Sequence, residues 1–100
     1  MPPSKNQISD QSSPITAIDW LTVSHLVVAQ KNGKVSIIDL SSRKEDESKD
    51  ICIAHLPYNP VWSLVVIDET NIAIACDSGH VYLLNRKETD SNEWSQSVIT

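Results

Sequence analysis

The sequence predicts an all-β fold made of two similar units, each a four-stranded antiparallel sheet. When the sequence is shifted by about 46 residues against itself, Gly33 aligns with Gly79, and the chain has only two glycines. Each glycine follows a turn-forming residue and lies between runs rich in valine, isoleucine and leucine, which is the pattern of a β-hairpin. A repeat of this length is typical of stacked or radial arrays of structural units.

The alignment of the two copies needs no gap. It pairs Pro14 with Pro60 and Ala29 with Ala75, and chance aligns such residues far less easily than it aligns apolar ones. The strand positions that it pairs are also alike: Ile15 with Val61, Ile18 with Leu64, Leu26 with Ile72, Val28 with Ile74, Val35 with Val81 and Ile38 with Leu84. We therefore interpret the chain as an internal repeat.

Each copy is expected to contain three clear strands and a weaker fourth. β-branched and aromatic residues dominate these segments, as pleated surfaces prefer. The hairpin turns are Asn32-Gly33 and Ser78-Gly79, whose residues tolerate positive φ. The central strands are apolar on both faces, so we expect the sheets to be covered on both sides. The predicted strands are 15–20, 25–30, 34–40 and 51–55 in the first copy and 61–66, 71–76, 80–85 and 94–99 in the second.

The segments between and before these strands are polar. Residues 41–50 and 86–93 are charged, and we interpret them as solvated loops rather than as an acidic binding patch. Residues 1–13 are expected to form a disordered tail. The predicted organisation is therefore this tail, a first unit over residues 14–55 and a second over residues 56–100.

Composition and charge limit the classes of function. The net charge of −5 argues against direct binding of nucleic acid, which needs a concentrated positive surface. No apolar run approaches the ~20 residues that cross a membrane, and the N-terminus does not have the pattern of a secretory signal. Cys52 and Cys76 form no CxxC pair, and the sequence has no N-glycosylation sequon. These features predict an intracellular protein of the cytoplasm or nucleus.

A four-stranded antiparallel unit of about 45 residues, covered on both faces and repeated, is typical of one blade of a β-propeller. Three short motifs of such blades have counterparts here. They are Ala54-His55 at a Gly-His position, Asn32-Gly33 and Ser78-Gly79 at an Asp-Gly position, and Ile38-Asp39 and Leu84-Asn85 at a Trp-Asp position. On these residues, residues 14–99 resemble the WD-repeat β-propeller family.

The resemblance implies a scaffold that binds other proteins. In that family, partners usually bind where the connection between blades opens, which here is residues 55–60. The predicted partner-binding residues are His55, Tyr58, Asn59 and Trp62. The resemblance also gives His55 the role of the family's network histidine, which forms hydrogen bonds within a blade. Trp20 is expected to pack in the core.

The number of blades leaves three alternatives open. Propellers commonly have about four to eight blades, and this chain has sequence for two. Two blades leave two apolar faces without a neighbour. The chain is then part of a longer propeller, or it is completed by a partner, by further blades or by copies of itself, or its two units close into a small β-sandwich.

Candidates for catalysis are few. Cys76 and His80 are the only defensible pair, and nothing near them supplies an oriented base or an oxyanion site. We expect Cys76 to be a small buried residue, and His25 and His80 to be ordinary exposed histidines. Cysteine and histidine spacing does not match a zinc site, and no glycine-rich phosphate loop is present. The sequence predicts no catalytic residue, metal or cofactor; an enzyme using Cys76 and His80, or a truncated product without activity, remains the alternative.

Overall fold

The described part of the protein folds as eight β-strands in two antiparallel four-stranded sheets, as seen in a computed structural model. The structure describes residues 13–41, 49–56 and 60–100. Sheet 1 has the strand order β1-β2-β3-β4 and sheet 2 the order β5-β6-β7-β8, so each sheet is a simple meander. The strands are β1 (Ile15–Thr22), β2 (His25–Gln30), β3 (Lys34–Asp39), β4 (Lys49–His55), β5 (Val61–Asp68), β6 (Asn71–Cys76), β7 (Val81–Asn85) and β8 (Ser95–Val98).

The predicted all-β class and the two four-stranded antiparallel units are confirmed, and the arrangement is compatible with two blades or a small β-sandwich. The main differences from the predicted strands are at the ends. β1 and β5 continue to Thr22 and Asp68, because a bulge near the end of each lets these residues pair with the next strand. β4 begins at Lys49, inside the predicted charged loop. Residues 1–12 of the predicted tail and 42–48 of that loop lie outside the described residues.

The two sheets repeat the same backbone hydrogen bonds. The N–H of Lys31 donates to the carbonyl of Pro14 at 2.8 Å, and the N–H of Asp77 donates to the carbonyl of Pro60 at 2.9 Å. Bulges interrupt β1 and β5 at matching positions as well. The similarity between the two halves of the sequence is therefore also a similarity of backbone structure.

The two hairpin turns are matched in detail. Gly33 and Gly79 both have φ of 92°, a region that glycine adopts without steric cost. The side-chain oxygen of Asn32 accepts a hydrogen bond from the backbone N–H two residues later at 3.0 Å. The hydroxyl of Ser78 accepts the equivalent bond at 3.4 Å. Each turn is thus stabilised by a side chain that returns to its own backbone.

One hydrophobic core lies between the two sheets, and β1 and β5 approach each other most closely. The N–H of Val66 in β5 donates across the sheets to a carboxylate oxygen of Asp19 in β1 at 2.8 Å. Side chains that alternate along the strands supply the apolar contacts. Sheet 1 contributes Leu21, Val27, Ala29, Val35 and Ile37, and sheet 2 contributes Leu64, Ile72, Ile74, Tyr82 and Leu84.

The two sheets bury faces that are not equivalent in the repeat. In the central strands the core side chains of sheet 1 have odd residue numbers and those of sheet 2 have even numbers. A repeat offset of 46 residues preserves this parity, so Val27 matches Ala73 while Leu26 matches the buried Ile72. The odd-numbered face of sheet 1 therefore packs on the even-numbered face of sheet 2. The two sheets are stacked front to back, in the same orientation.

The position of Trp20 corrects one expectation from the sequence. Trp20 is not in the core; its side chain is 55% exposed. It pairs with Leu26, on the face of sheet 1 that points away from sheet 2. Burial on both faces is also uneven. In β2 the neighbours Val27 and Val28 are both buried, whereas β6 alternates between buried and half-buried residues.

Candidate functional site

The end of the molecule that carries both glycine turns is the candidate site, and we call it the turn end. It contains residues 31–33 and 77–79 together with the starts of β1 and β5. The N–H of Leu56 donates to the carbonyl of Gly33 at 2.8 Å, so the chain also reaches the turn end as it leaves β4. His55 pairs with Lys34, directly after the first turn. The fold thus gathers segments that are far apart in the sequence.

A shallow depression of about 350 Å³ opens at the turn end, and an exposed tryptophan forms one wall. The Trp62 side chain is 68% exposed. Its indole N–H donates to a carboxylate oxygen of Asp77 at 2.6 Å, which fixes the indole while leaving most of its surface in solvent. The other residues that line the depression are Thr16, Lys31, Pro60 and Val61.

A bulge in β5 accounts for the exposure of Trp62 directly after the buried Val61. The pairing of β5 with β6 shifts between Val61 and Ser63, so Trp62 falls at the irregularity. Val61 is 1% exposed and belongs to the core, while Trp62 is directed to the surface. The sequence predicted Trp62 as a partner-binding residue, and its exposed ring has the character of an interface anchor.

Of the other three predicted partner-binding residues, the structure describes only His55. Tyr58 and Asn59 lie outside the described residues. His55 is exposed at the end of β4, so it is not the buried network histidine that the resemblance implies. The next residue, Leu56, is fully buried in the core.

Cys76 and His80 are close in the backbone but differ in environment. The N–H of Cys76 donates to the carbonyl of His80 at 3.0 Å. The Cys76 thiol lies in the core, and its burial raises the pKa of the thiol. The exposed ring of His80 is hydrogen-bonded through Nδ1 to the hydroxyl of Ser78 at 2.9 Å. A nucleophilic cysteine needs a lowered pKa and access to substrate, and Cys76 has the opposite properties.

The two cysteines should therefore differ sharply in reactivity. We expect a thiol-specific reagent at neutral pH to modify the exposed Cys52 rapidly and Cys76 only when the protein opens, because the folded core shields the Cys76 thiol and raises its pKa. The measurement is the time course of labelling, with Cys52→Ser isolating the Cys76 signal and urea as the positive control. Rapid labelling of Cys76 in the folded Cys52→Ser protein would instead favour a reactive cysteine.

A polar cleft of about 390 Å³ lies at the opposite end, between the two sheets. His25 and Asp39 pair across β2 and β3, and Nε2 of His25 is 3.6 Å from a carboxylate oxygen of Asp39. Nδ1 of His25 is 2.9 Å from the hydroxyl of Thr22 and 3.1 Å from that of Ser24. Nδ1 of His25 is thus within hydrogen-bonding distance of two hydroxyls of the same sheet. The cluster connects the ends of β1, β2 and β3, so its role is structural.

Arg86 forms the other wall of this cleft, and no sequence motif had pointed to it. Its guanidinium donates to the carbonyls of Glu69 at 2.7 Å and Ser91 at 3.0 Å, and it stacks 4.6 Å from the ring centre of Trp94. Burial lowers the pKa of Arg86, and the carboxylates of Glu69 and Asp90 partly oppose that effect. These contacts tie the segment before β8 to sheet 2, so Arg86 has a structural role.

Sheet 2 has a different polar cluster at the place that is equivalent to the His25 cluster of sheet 1, because Asn71 matches His25 in the repeat. Asp68 accepts hydrogen bonds from the N–H and hydroxyl of Thr70, at 2.8 and 2.9 Å, and from the amide of Asn71 at 3.0 Å. These bonds lower the pKa of Asp68. Hairpin register could have revealed both clusters from the sequence, since a fixed turn decides which residues face each other.

In residues 13–41, 49–56 and 60–100, no group of histidine, cysteine, aspartate or glutamate side chains could hold a metal ion. The same part of the chain contains no helix long and apolar enough to span a membrane. No family model matches the sequence, and no curated protein or solved structure matches it either.

Proposed function

We propose that the chain is a protein-binding scaffold made of two propeller-type blades, similar in architecture to WD-repeat blades, and that it binds partners at the turn end. The observation that carries the proposal is Trp62, which is held by Asp77 yet is 68% exposed beside a depression. A large aromatic ring that costs little conformational entropy on binding is the usual anchor of a protein interface.

The way the two sheets pack supports the blade architecture. In a propeller, the front of each blade meets the back of the next, so faces that are not equivalent are buried together. A small sandwich with approximate two-fold symmetry would bury equivalent faces instead. The odd-numbered face of sheet 1 lies on the even-numbered face of sheet 2, which matches the first arrangement. Since His55 is exposed, the likeness to WD-repeat blades rests on architecture and not on the family's hydrogen-bond network.

The chemistry of the depression indicates the class of partner. Trp62, Pro60 and Val61 offer apolar area, while Lys31 and Asp77 provide one charge of each sign at its border. A peptide segment with an apolar side chain and flanking polar groups fits this surface, whereas the net charge of −5 disfavours nucleic acid. An intracellular location, in the cytoplasm or nucleus, is part of the proposal, because both cysteines are free thiols.

Replacement of Trp62 tests the proposed site. We expect Trp62→Ala to leave the free energy of unfolding within about 0.5 kcal/mol, as for a surface change, and to weaken partner binding by at least about 1 kcal/mol. Asp77→Ala should also weaken binding, because it removes the hydrogen bond that holds the indole of Trp62 in place. The measurement is capture from cell extract with the full chain as bait, followed by titration of the captured partner.

Val23→Ala is the matched control. Val23 is 98% exposed and lies in the turn between β1 and β2, away from the turn end, so this variant should bind like the parent. If Trp62→Ala and Val23→Ala both bind with the affinity of the parent, the turn end is not the binding surface. Residues 57–59 would then be the next segment to test with Tyr58→Ala.

A further inference from the structure

Each sheet has an outward face that the other sheet does not cover, and both outward faces are apolar. On sheet 1 this face includes Ile18 and Trp20, which are 57% and 55% exposed. On sheet 2 it includes Val65, which is 54% exposed, and Leu83, which is half-buried. Val65 and Leu83 each pair with Ala73 in the middle of sheet 2. Two uncovered apolar faces are unusual for a free monomer.

The repeat relates these outward faces to the interface that already exists inside the chain. The outward face of sheet 1 is the repeat equivalent of the face that sheet 2 buries, since Ile18 matches Leu64 and Ile38 matches Leu84. The outward face of sheet 2 is likewise the equivalent of the face that sheet 1 buries. Its positions Ala75, Val81 and Leu83 match the buried Ala29, Val35 and Ile37. The two outward faces are therefore related to each other in the same way as the two faces that pack together inside the chain.

We propose that the outward face of sheet 2 packs on the outward face of sheet 1 of a second copy of this chain, head to tail, and so continues the stack of sheets that begins inside each copy. The inference rests on the blade architecture of the proposed function but not on the turn-end site. Because the two surfaces differ, the contact is heterologous and closes only as a ring. Propellers have about four to eight blades, so about two to four copies complete one.

The contact at the centre of this joint differs from the internal one in a way that suits an interface between chains. Inside the chain, Asp19 accepts a hydrogen bond from the N–H of Val66 at 2.8 Å. The equivalents across the proposed joint are Val65 for Asp19 and Trp20 for Val66. A hydrogen bond from a backbone N–H to a carboxylate is thus replaced by an apolar contact between the exposed side chains of Val65 and Trp20, and tryptophan is a residue that often anchors interfaces.

The shape of the outward face of sheet 1 fits the same interpretation. A groove of about 670 Å³ crosses it, with Val28 and Ser36 among its lining residues. Ser36 is the equivalent of the buried Tyr82, so a small residue leaves room where sheet 2 carries a large one.

The test compares the mass of the parent with that of two variants, each measured at micromolar concentration by light scattering and native mass spectrometry. The parent should form a species of about two to four copies. Trp20→Asp damages only the outward face of sheet 1 and Val65→Asp only that of sheet 2, so each variant alone should be a monomer. A mixture of the two should form a heterodimer and stop, because one intact surface remains on each.

Several results would overturn the proposal. A monomeric parent would show that copies of this chain do not cover these faces. A Val65→Asp protein that still dimerises would indicate a symmetric contact between sheet 1 faces, and mixed variants that stay monomeric would exclude the head-to-tail joint. Val23→Asp, an equally charged change outside both faces, should assemble like the parent. Circular dichroism confirms that each variant folds, and Trp20→Ala, expected to weaken assembly at least about tenfold, serves if Trp20→Asp does not.

The same measurements separate this inference from the proposed function. Trp62→Ala should assemble like the parent and lose its partner, because Trp62 lies at the turn end rather than on either outward face. If the parent is a monomer that still binds a partner through Trp62, the assembly is wrong and the binding site stands. If the ring forms and Trp62→Ala binds the partner normally, the assembly stands and the proposed binding site is wrong.

Discussion

Replacing Gly33 with alanine is expected to lower the free energy of unfolding by more than about 3 kcal/mol, whereas Gly79→Ala should cost only about 1 kcal/mol. Both glycines have φ of 92°, so alanine introduces the same backbone strain at either position. The surroundings differ. A Cβ at Gly33 would overlap the carbonyl oxygen of Leu56. At Gly79, no atom of the described residues other than the glycine and its two chain neighbours lies within 4 Å of a Cβ. The difference therefore comes from the close approach of the two backbones.

Neither backbone at this contact can easily move away. The N–H of Leu56 donates to the carbonyl of Gly33 at 2.8 Å, and the Leu56 side chain is fully buried. Relief of the overlap requires breaking this hydrogen bond or withdrawing Leu56 from the core, and both are costly. Urea unfolding of the two variants measures the difference directly, since Gly79→Ala controls for φ. Equal losses at both positions would mean that the Leu56 contact contributes nothing.

The strands were predictable because their signals are local. Apolar runs of strand length show roughly where each strand lies, and the two glycine turns determine which residues pair in the hairpins β2–β3 and β6–β7. The extension of β1 and β5 was not predictable, because a bulge depends on how Thr22 and Asp68 meet the neighbouring strand. The choice of inward face was also hidden, because Val27 and Val28 are both apolar and either could face the core. Only packing against a second sheet decides between them.

The candidate site was predictable in part for similar reasons. Trp62 follows Pro60 at the start of a strand, and this position suggested an exposed aromatic at the end of the sheet. Its partner Asp77 comes from another strand and was not foreseen, although the register of β5 with β6 brings both to one end. The stacking of Arg86 on Trp94 was hidden within a charged segment. A sequence pattern does not distinguish such a buried cation from its solvated neighbours.

Leu84→Ala should destabilise the protein by about 3 kcal/mol, while Ile38→Ala, at the equivalent place in the repeat, should cost less than about 1 kcal/mol. Leu84 is fully buried between the sheets, so its truncation leaves a cavity in the core. Ile38 lies half-buried on the outward face of sheet 1, where solvent or small shifts can fill the space. Both substitutions remove the same number of carbon atoms from the central hairpin of a sheet, so the comparison isolates the effect of the face.

The comparison is best made in a Trp20→Asp background, in which a second copy cannot cover Ile38. Thermal or urea unfolding then reports only on the contacts within one chain. A large loss for Leu84→Ala alone is the result expected when sheets stack front to back, because only one member of each equivalent pair is then buried. If the sheets instead formed a sandwich of equivalent faces, Leu84 and Ile38 would both line its interior. Similar losses for the two variants would therefore contradict the front-to-back packing and, with it, both the blade architecture and the assembly that we derive from it.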